Sequence, residues 1–403
     1  MFRKSYNYSG LYSVKVITLH CGLTNKVFKM IARLIVKQIQ SYLFLGKAIV
    51  MVGPRQVGKT TIIKEIITLY SKEHLFLDAD DALVREMFSS AELSKLKQIV
   101  GGNKIVVIDE AQRIPDIGLI AKLIVDNIKD VQLILSGSSA FELTQQTGES
   151  LTGRKFTFNL WPISWKELET DLGYLKSQQE LEKRMVFGFY PDIIMQEEIK
   201  ERLLLELTDS YLFKDVLAYG NIRKPDILNK LLQALAYQVG SEVNYNELST
   251  LLKIDSKTVS FYIDLLEKAF VIYTVGSFSR NLRNEIKKSK KLYFYDNGIR
   301  NALIGNLKPL ELRNDIGILW ENFLMSERLK YNTYEGKRVK MFFWRTKQQQ
   351  EIDLVEEIGT DLAAFEFKWK QPNTIKFSKT FTGTYNVEPM LVHRGNFREF
   401  LEV

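Results

Sequence analysis

The sequence predicts an α/β protein: a parallel sheet flanked by helices, then a small helical unit closed by a strand, then a second, mixed α/β unit. Three observations predict it. Between residues 47 and 160, short apolar runs alternate with stretches of helical periodicity, the pattern of parallel strands joined by helices. Near Pro225 the composition shifts, and helix, turn, helix and strand follow one another. From about residue 310 a helical stretch precedes three closely spaced strand-like runs.

Taken in order, Met30 opens an amphipathic helical pattern, IARLIVKQIQSYL. Strands are predicted at Lys47–Val52, His74–Asp78, Ile105–Asp109, Gln132–Ser136 and Lys155–Asn159. Helices are predicted between them at Thr60–Tyr70, Asp81–Ile99 and Ile117–Ile128. Residues 161–222 read as mostly helical, with a turn at Gly188–Pro191. In the next unit Asp226–Val239 is helical, and Asn244 with Glu247 resembles a capped helix start for Tyr245–Leu252. Ser256–Lys268 is a further amphipathic helix and Phe270–Phe278 a strand, an order that suggests a winged helix-turn-helix. The last unit reads as a helix (Gly317–Tyr331), strands at Val339–Arg345, Glu351–Glu357 and Leu362–Lys370, a helical stretch and a strand at Glu388–His393.

Composition narrows the function classes. No stretch approaches the ~20 apolar residues of a membrane span, and Lys15, His20 and Asn25 break the early apolar positions, against a signal peptide. One cysteine, Cys21, excludes an internal disulfide framework, and three scattered histidines argue against structural zinc. The expected location is the cytoplasm. The net charge of +8 is unevenly placed: residues 1–64 hold eleven of the 56 Lys and Arg and no acid, leaving 45 bases against 48 acids in the rest. The basic excess is therefore an N-terminal feature and a weak argument for nucleic acid. Residues 1–29 read as an extension ahead of the first domain.

Residues Gly53, Pro54, Arg55, Gln56, Val57, Gly58, Lys59 and Thr60, followed by Thr61, match the Walker A pattern between a strand (AIVMV) and a helix (TTIIKEIITLY). Such a loop turns backbone N–H groups inward around phosphates, and the helix N-terminus favours their charge. Lys59 is expected at the β and γ phosphates of ATP and the Thr60 hydroxyl on Mg²⁺. The strand Ile105–Asp109 delivers Asp109 and Glu110 at its C-terminal end, where ligands of open α/β sheets bind. Asp109 is the expected metal holder and Glu110 the general base. Ser138, after the adjacent strand, is a candidate contact for the γ-phosphate or the attacking water. Arg154, in LTGR, is a candidate arginine finger acting on a neighbour's nucleotide in a homo-oligomer.

The series GPRQVGKT, VVIDEAQRIPD, LSGSSAFEL, LTGRKFTFNLWPIS, GFYPDI and YLFKDV resembles the archaeal and bacterial AAA-type P-loop ATPases whose C-terminal half was long labelled a domain of unknown function. The resemblance runs from about Met30 to the C-terminus. It implies ATP binding by Lys59, Thr60, Asp109 and Glu110, a winged-helix module, and a C-terminal domain of restriction-endonuclease-like fold. Phe189 departs from the family's frequent second glycine in GFYP, and Asn159 interrupts an otherwise apolar strand.

In the C-terminal unit Glu321 lies on the opening helix, Asp353 on one strand, and Glu366 with Lys368 on the next. Side chains at i and i+2 share a strand face, so Glu366 and Lys368 point together, and Asp353 on an antiparallel neighbour can join them. Two acids and a lysine on one face suit Mg²⁺-dependent phosphodiester cleavage, with Asp353 and Glu366 as metal holders. The arrangement resembles the PD-(D/E)xK nuclease pattern, with Ile352 where a proline often stands. The competing reading is a solvated salt bridge. In the preceding unit Lys257, Thr258, Ser260 and Tyr262 are expected to face outward toward a DNA major groove, with Leu265, Leu266 and Phe270 in the core. Trp320, Trp344 and Trp369 read as core or interface aromatics.

The resulting division is an extension (1–29), an AAA-type P-loop ATPase domain with a helical lid region (30–222), a winged helix (223–309) and a nuclease-like domain (310–403). The expected function is ATP binding and hydrolysis associated with double-stranded DNA, with Mg²⁺-dependent cleavage by the last domain. The alternative is a nucleotide switch whose C-terminal half binds DNA or protein without cutting.

Overall fold

The computed structural model describes residues 30–70, 73–90, 92–138, 147–209, 225–280, 289–374 and 377–402. The segment 1–29 with Cys21, Ser139 and the YLFKDV stretch lie outside the described residues.

Five strands form the N-terminal sheet: β1 (Ala48–Val52), β2 (His74–Asp78), β3 (Ile105–Asp109), β4 (Gln132–Gly137) and β5 (Lys155–Asn159). Their order is β2-β3-β4-β1-β5, and every pairing is parallel. Strands β1, β3 and β4 are buried at every position, whereas β2 and β5 at the edges are not. That contrast is what helices on both faces of a parallel sheet produce. The helix Lys59–Tyr70 buries Ile62, Ile63, Ile66 and Ile67, one stripe at helical spacing, against the sheet.

The second sheet has six strands: β6 (Ile272–Ser277), β7 (Lys290–Phe294), β8 (Lys340–Arg345), β9 (Glu351–Ile358), β10 (Asp361–Phe367) and β11 (Met390–Val392). The order is β11-β10-β9-β8-β6-β7. Strands β8, β9 and β10 are an antiparallel meander, while β11 runs parallel to β10 and β6 parallel to β8. Helices Pro225–Tyr237, Tyr245–Leu252 and Ser256–Lys268 precede the β6–β7 hairpin, and a bridge from Glu242 to Lys291 joins the first interhelical turn to β7. The two C-terminal units therefore share one sheet, and the step near residue 310 is not a gap in it.

Three local readings need correction. The pattern from Met30 yields a helix only over Ile35–Gln40. Arg33 and Leu34 are instead drawn to Glu167, whose Oε1 accepts from the Leu34 N–H at 2.8 Å. The stretch Asp81–Ile99 is two helices, Ala82–Met87 and Leu93–Val100, parted where Ser89 and Ser90 interrupt the apolar spacing. Tyr262 faces inward: the helix Ser256–Lys268 buries Val259, Tyr262, Ile263, Leu265 and Leu266 as one stripe, and Phe261 is the exposed aromatic beside Lys257 and Ser260.

One hydrophobic core runs from Ile31 through the first sheet to Leu401. At the seam between the halves, Trp165, Phe189, Trp320, Phe323 and Phe397 make edge-on and stacked ring contacts with centroids 5.3–6.0 Å apart. The turn at Gly188 fits there for a specific reason. Gly188 has φ +74°, and a Cβ on it would lie 1.9 Å from Asp296 Oδ1. Asp296 Oδ2 accepts the Phe189 N–H at 2.7 Å, and Asp296 caps the helix Asn297–Leu303. The Gly188–Pro191 turn is thus part of the seam.

Candidate functional site

The loop 53–60 leaves β1 and enters the helix Lys59–Tyr70. Gly53 is required by a close approach: a Cβ there would fall 2.1 Å from the Leu160 carbonyl oxygen, just past β5. Gly58 has φ +96°, a left-handed conformation open to glycine. Lys59 is buried, and its Nζ donates to the carbonyls of Gly53 and Pro54, 2.8 Å each, so its ammonium points into the loop. The sheet order places β3 two strands from β1, with β4 between. Asp109 at the end of β3 thereby reaches the start of the helix: Thr60 Oγ1 donates to Asp109 Oδ2 at 2.7 Å. Ser136 on β4 donates to Asp109 Oδ1.

Glu110 follows in the left-handed region, φ 48° and ψ 41°, a conformation costing a non-glycine residue about 1 kcal/mol or more. Its Oε2 accepts from Gln112 Nε2 at 2.6 Å and Ser138 Oγ at 3.1 Å. Lys59, Thr60, Asp109, Glu110 and Ser138 are therefore brought together, with Ser138 on the glutamate. Arg55, Gln56 and Val57 complete the loop, and Thr61 stands exposed behind Thr60. Arg154 lies elsewhere. Its carbonyl accepts from Ala48 at the N-terminal end of β1, and its Nε pairs with Asp126 Oδ1 at 2.7 Å. It lies at the N-terminal ends of the parallel strands, whereas its own chain's loop follows the C-terminal end of β1, so an arginine-finger role concerns an assembly.

Thr60 and Asp109 offer hard oxygen donors side by side beside a lysine, a set that suits Mg²⁺ on a phosphate. Sequence reasoning missed Gln112 and Ser136. Both were visible as polar residues in positions that bury: Gln112 two past Glu110, and Ser136 ending an apolar strand.

The second cluster gathers side chains from β7, β9, β10 and the long helix Ile316–Tyr334. The register Phe365↔Leu354 makes Asp353 and Glu366 neighbours on one face, and Asp353 Oδ2 accepts the Phe367 N–H at 2.8 Å. Lys368, just past β10, is exposed. Glu321, on the long helix Ile316–Tyr334, accepts from the Tyr293 hydroxyl at 2.7 Å and faces Lys291 Nζ at 3.3 Å. Lys291 also contacts Glu351. Burial, with Asp353 nearby, pushes the Glu321 carboxyl up to about 7. Burial likewise raises Asp353 and Glu366, the latter also through Asp353. Burial opposes the Lys291 charge, but Glu321, Asp353 and Glu351 outweigh it and hold its ammonium charged. Lys291, Tyr293 and Glu351 were not anticipated; alternation along KLYF, which puts Lys291 and Tyr293 on one face of β7, was the available signal.

Among the described residues no group of three or more acidic, imidazole or thiol ligands is arranged to hold a metal ion. In the C-terminal cluster the Lys291 ammonium stands between Glu321 and Glu351, while Asp353 and Glu366, the expected metal holders, are neighbours across β9 and β10. No described helix is long and apolar enough to cross a membrane.

Sheet order, loop and paired carboxylates have the architecture of a P-loop domain, and residues 45–169 match the family model described as an AAA domain. Two models described as domains of unknown function, DUF8612 and DUF4143, match residues 178–310 and 316–402. The chain is 23% identical over 336 residues to an uncharacterized protein of Mycobacterium tuberculosis, covering 82% of this chain and 72% of that one. It is 23% identical over 393 residues to an uncharacterized protein of Methanocaldococcus jannaschii, covering 88% of each. Among solved structures, a Walker-type ATPase of Pyrococcus abyssi aligns with 15% identity and a TM-score of 0.45, over 68% of this chain and 96% of that one.

Proposed function

We propose that the protein binds ATP with Mg²⁺ at residues 53–60 and hydrolyses it, and that its C-terminal half engages double-stranded DNA. The observation that carries the first part is the 2.7 Å hydrogen bond from Thr60 to Asp109, which joins the loop to the carboxylate strand. In this reading ATP phosphates replace the Gly53 and Pro54 carbonyls as partners of Lys59, while Thr60 and Asp109 hold Mg²⁺. The metal supplies charge neutralisation on the β and γ phosphates. Glu110 takes the proton of the attacking water, and Gln112 with Ser138 orients its carboxylate.

The test is nucleotide binding and phosphate release by the full chain. Lys59→Ala is expected to lose binding. Glu110→Gln is expected to bind ATP while turnover falls about 10²- to 10⁴-fold. Unchanged turnover in both would overturn the assignment.

For the C-terminal half, the three-helix unit with its bridge and hairpin supports a winged helix. The order helix, β8, β9, β10, helix, β11, with β11 parallel to β10, supports a restriction-endonuclease-like core. The lysine seated between Glu321 and Glu351 favours a switch that binds without cutting over a nuclease. Plasmid and linear DNA incubated with Mg²⁺ or Mn²⁺, with and without ATP, is expected to be bound in a salt-sensitive manner and left intact. Cleavage that disappears in both Asp353→Ala and Glu366→Ala would overturn that choice in favour of the nuclease.

A further inference from the structure

Arg33 stands where the two halves meet, and its guanidinium serves both. Nη1 donates to the Val57 carbonyl in the nucleotide loop at 2.8 Å. Nη2 donates to the Trp161 carbonyl at 2.6 Å and to the Tyr334 hydroxyl at 3.3 Å, while Nε faces Glu167 Oε1 at 3.1 Å. The Tyr334 hydroxyl accepts from the Trp161 N–H as well, at 3.2 Å. Arg33, Glu167 and Tyr334 are all buried. A buried guanidinium held in a fork of this kind fixes directions more than it adds net stability.

The direction fixed is the useful one. Across a trans peptide the carbonyl and the next N–H point opposite ways. Drawing the Val57 carbonyl toward Arg33 therefore turns the Gly58 N–H away from Arg33. Inward-turned N–H groups are what a phosphate loop requires. Arg33 is close enough to sense any turn of that peptide, since a Cβ on Gly58 would sit 3.9 Å from its Nη1.

The other end of the contact belongs to the C-terminal half. Tyr334 ends the long helix Ile316–Tyr334. That helix grips the segment after β5 at two more points: Lys330 Nζ donates to the Ile163 carbonyl at 3.1 Å, and Glu327 Oε2 accepts the Trp165 N–H at 2.6 Å. It also carries Glu321 into the acidic cluster, about 20 Å from Tyr334 at 1.5 Å per residue. One helix thus enters the acidic cluster directly and reaches the nucleotide loop through Arg33.

We propose that Arg33 positions the nucleotide loop and, through Tyr334, couples nucleotide occupancy to the long helix and the acidic cluster it carries. The proposal rests on the nucleotide reading of residues 53–60. A methylanthraniloyl-labelled ATP, titrated into the full-length chain, tests it together with ATPase kinetics and hydrogen exchange with and without a non-hydrolysable ATP analogue. The variants are Tyr334→Phe, Arg33→Lys and Arg33→Gln.

Tyr334→Phe keeps the ring and touches no phosphate ligand. It is expected to melt within a few degrees of wild type yet bind the labelled nucleotide about three- to ten-fold more weakly, with KM raised and kcat little changed. Arg33→Lys is expected to recover part of the affinity that Arg33→Gln loses. Nucleotide is expected to slow exchange near residues 331–335 in wild type and not in Tyr334→Phe. Wild-type affinity with wild-type protection in Tyr334→Phe would overturn the coupling and leave the nucleotide site standing. Absence of nucleotide binding by the wild-type chain would instead overturn the reading of the loop, and the coupling with it.

Discussion

Glu321 carries a proton to unusually high pH because burial, reinforced by Asp353, outweighs Lys291 and the Tyr293 hydroxyl, leaving its carboxyl titrating at about 7 against an ordinary 4.5. Between those values the folded protein holds a proton that the unfolded chain has released. Stability from this group is therefore present at low pH and is lost as pH rises toward 7. Glu321→Gln is expected to remove that slope. Urea unfolding of the two proteins at pH 5 and pH 8 is expected to show the variant gaining on wild type by about 2 kcal/mol. A difference that does not change with pH would refute it. At Gly188 the effect is steric. Gly188→Ala meets both a positive φ and Asp296, and is expected to cost roughly 2–4 kcal/mol, whereas Gly305→Ala, at φ +63° with open space around it, is expected to cost about 1 kcal/mol. Equal losses in urea unfolding would show that the approach to Asp296 carries no penalty.

The long helix Ile316–Tyr334 carries buried matched charges. Lys330 and Glu327 pair at 2.6 Å with almost no exposure, and Glu327 also takes the Trp165 N–H. Lys330→Met would leave Glu327 buried without its cation, an expected loss of about 3–5 kcal/mol. Arg154→Ala, which breaks a half-exposed pair with Asp126, is expected to cost less than about 1 kcal/mol. Comparable losses from the two in chemical denaturation would contradict this ranking. The same scale explains what was legible beforehand. The strands β1 to β5 could be read because buried parallel strands leave unbroken apolar runs, and the loop 53–60 because its chemistry is contiguous in the chain. Arg33, Glu167, Tyr334 and Lys291 could not, because what gives each its role is a partner far away in sequence. The helix expected from Met30 starts only at Ile35 for that reason: Arg33 and Leu34 are engaged by Glu167, far away in sequence.

At the scale of the whole molecule, the continuous core and the ring cluster at the seam join the nucleotide domain to the rest. The described residues are expected to unfold as one cooperative unit, with calorimetric and van't Hoff enthalpies in agreement. Two resolved transitions would mean that the seam opens independently. The motifs that carried the resemblance acquire a physical meaning here. The segments Pro162–Trp165 and Gly188–Pro191 both lie on the seam, where Lys330, Glu327 and Asp296 meet them.

The β6–β7 hairpin has a practical bearing on how this chain can be dissected. It is connected to the helical unit in sequence but lends its edge to β8. A fragment beginning at residue 310 would uncover β8, whose Met341, Phe342, Phe343 and Trp344 then sit on an unprotected strand border. Such borders recruit other chains, so the fragment would self-associate. A graft of the C-terminal half onto another protein must therefore take its cut near residue 225 and bring the hairpin along.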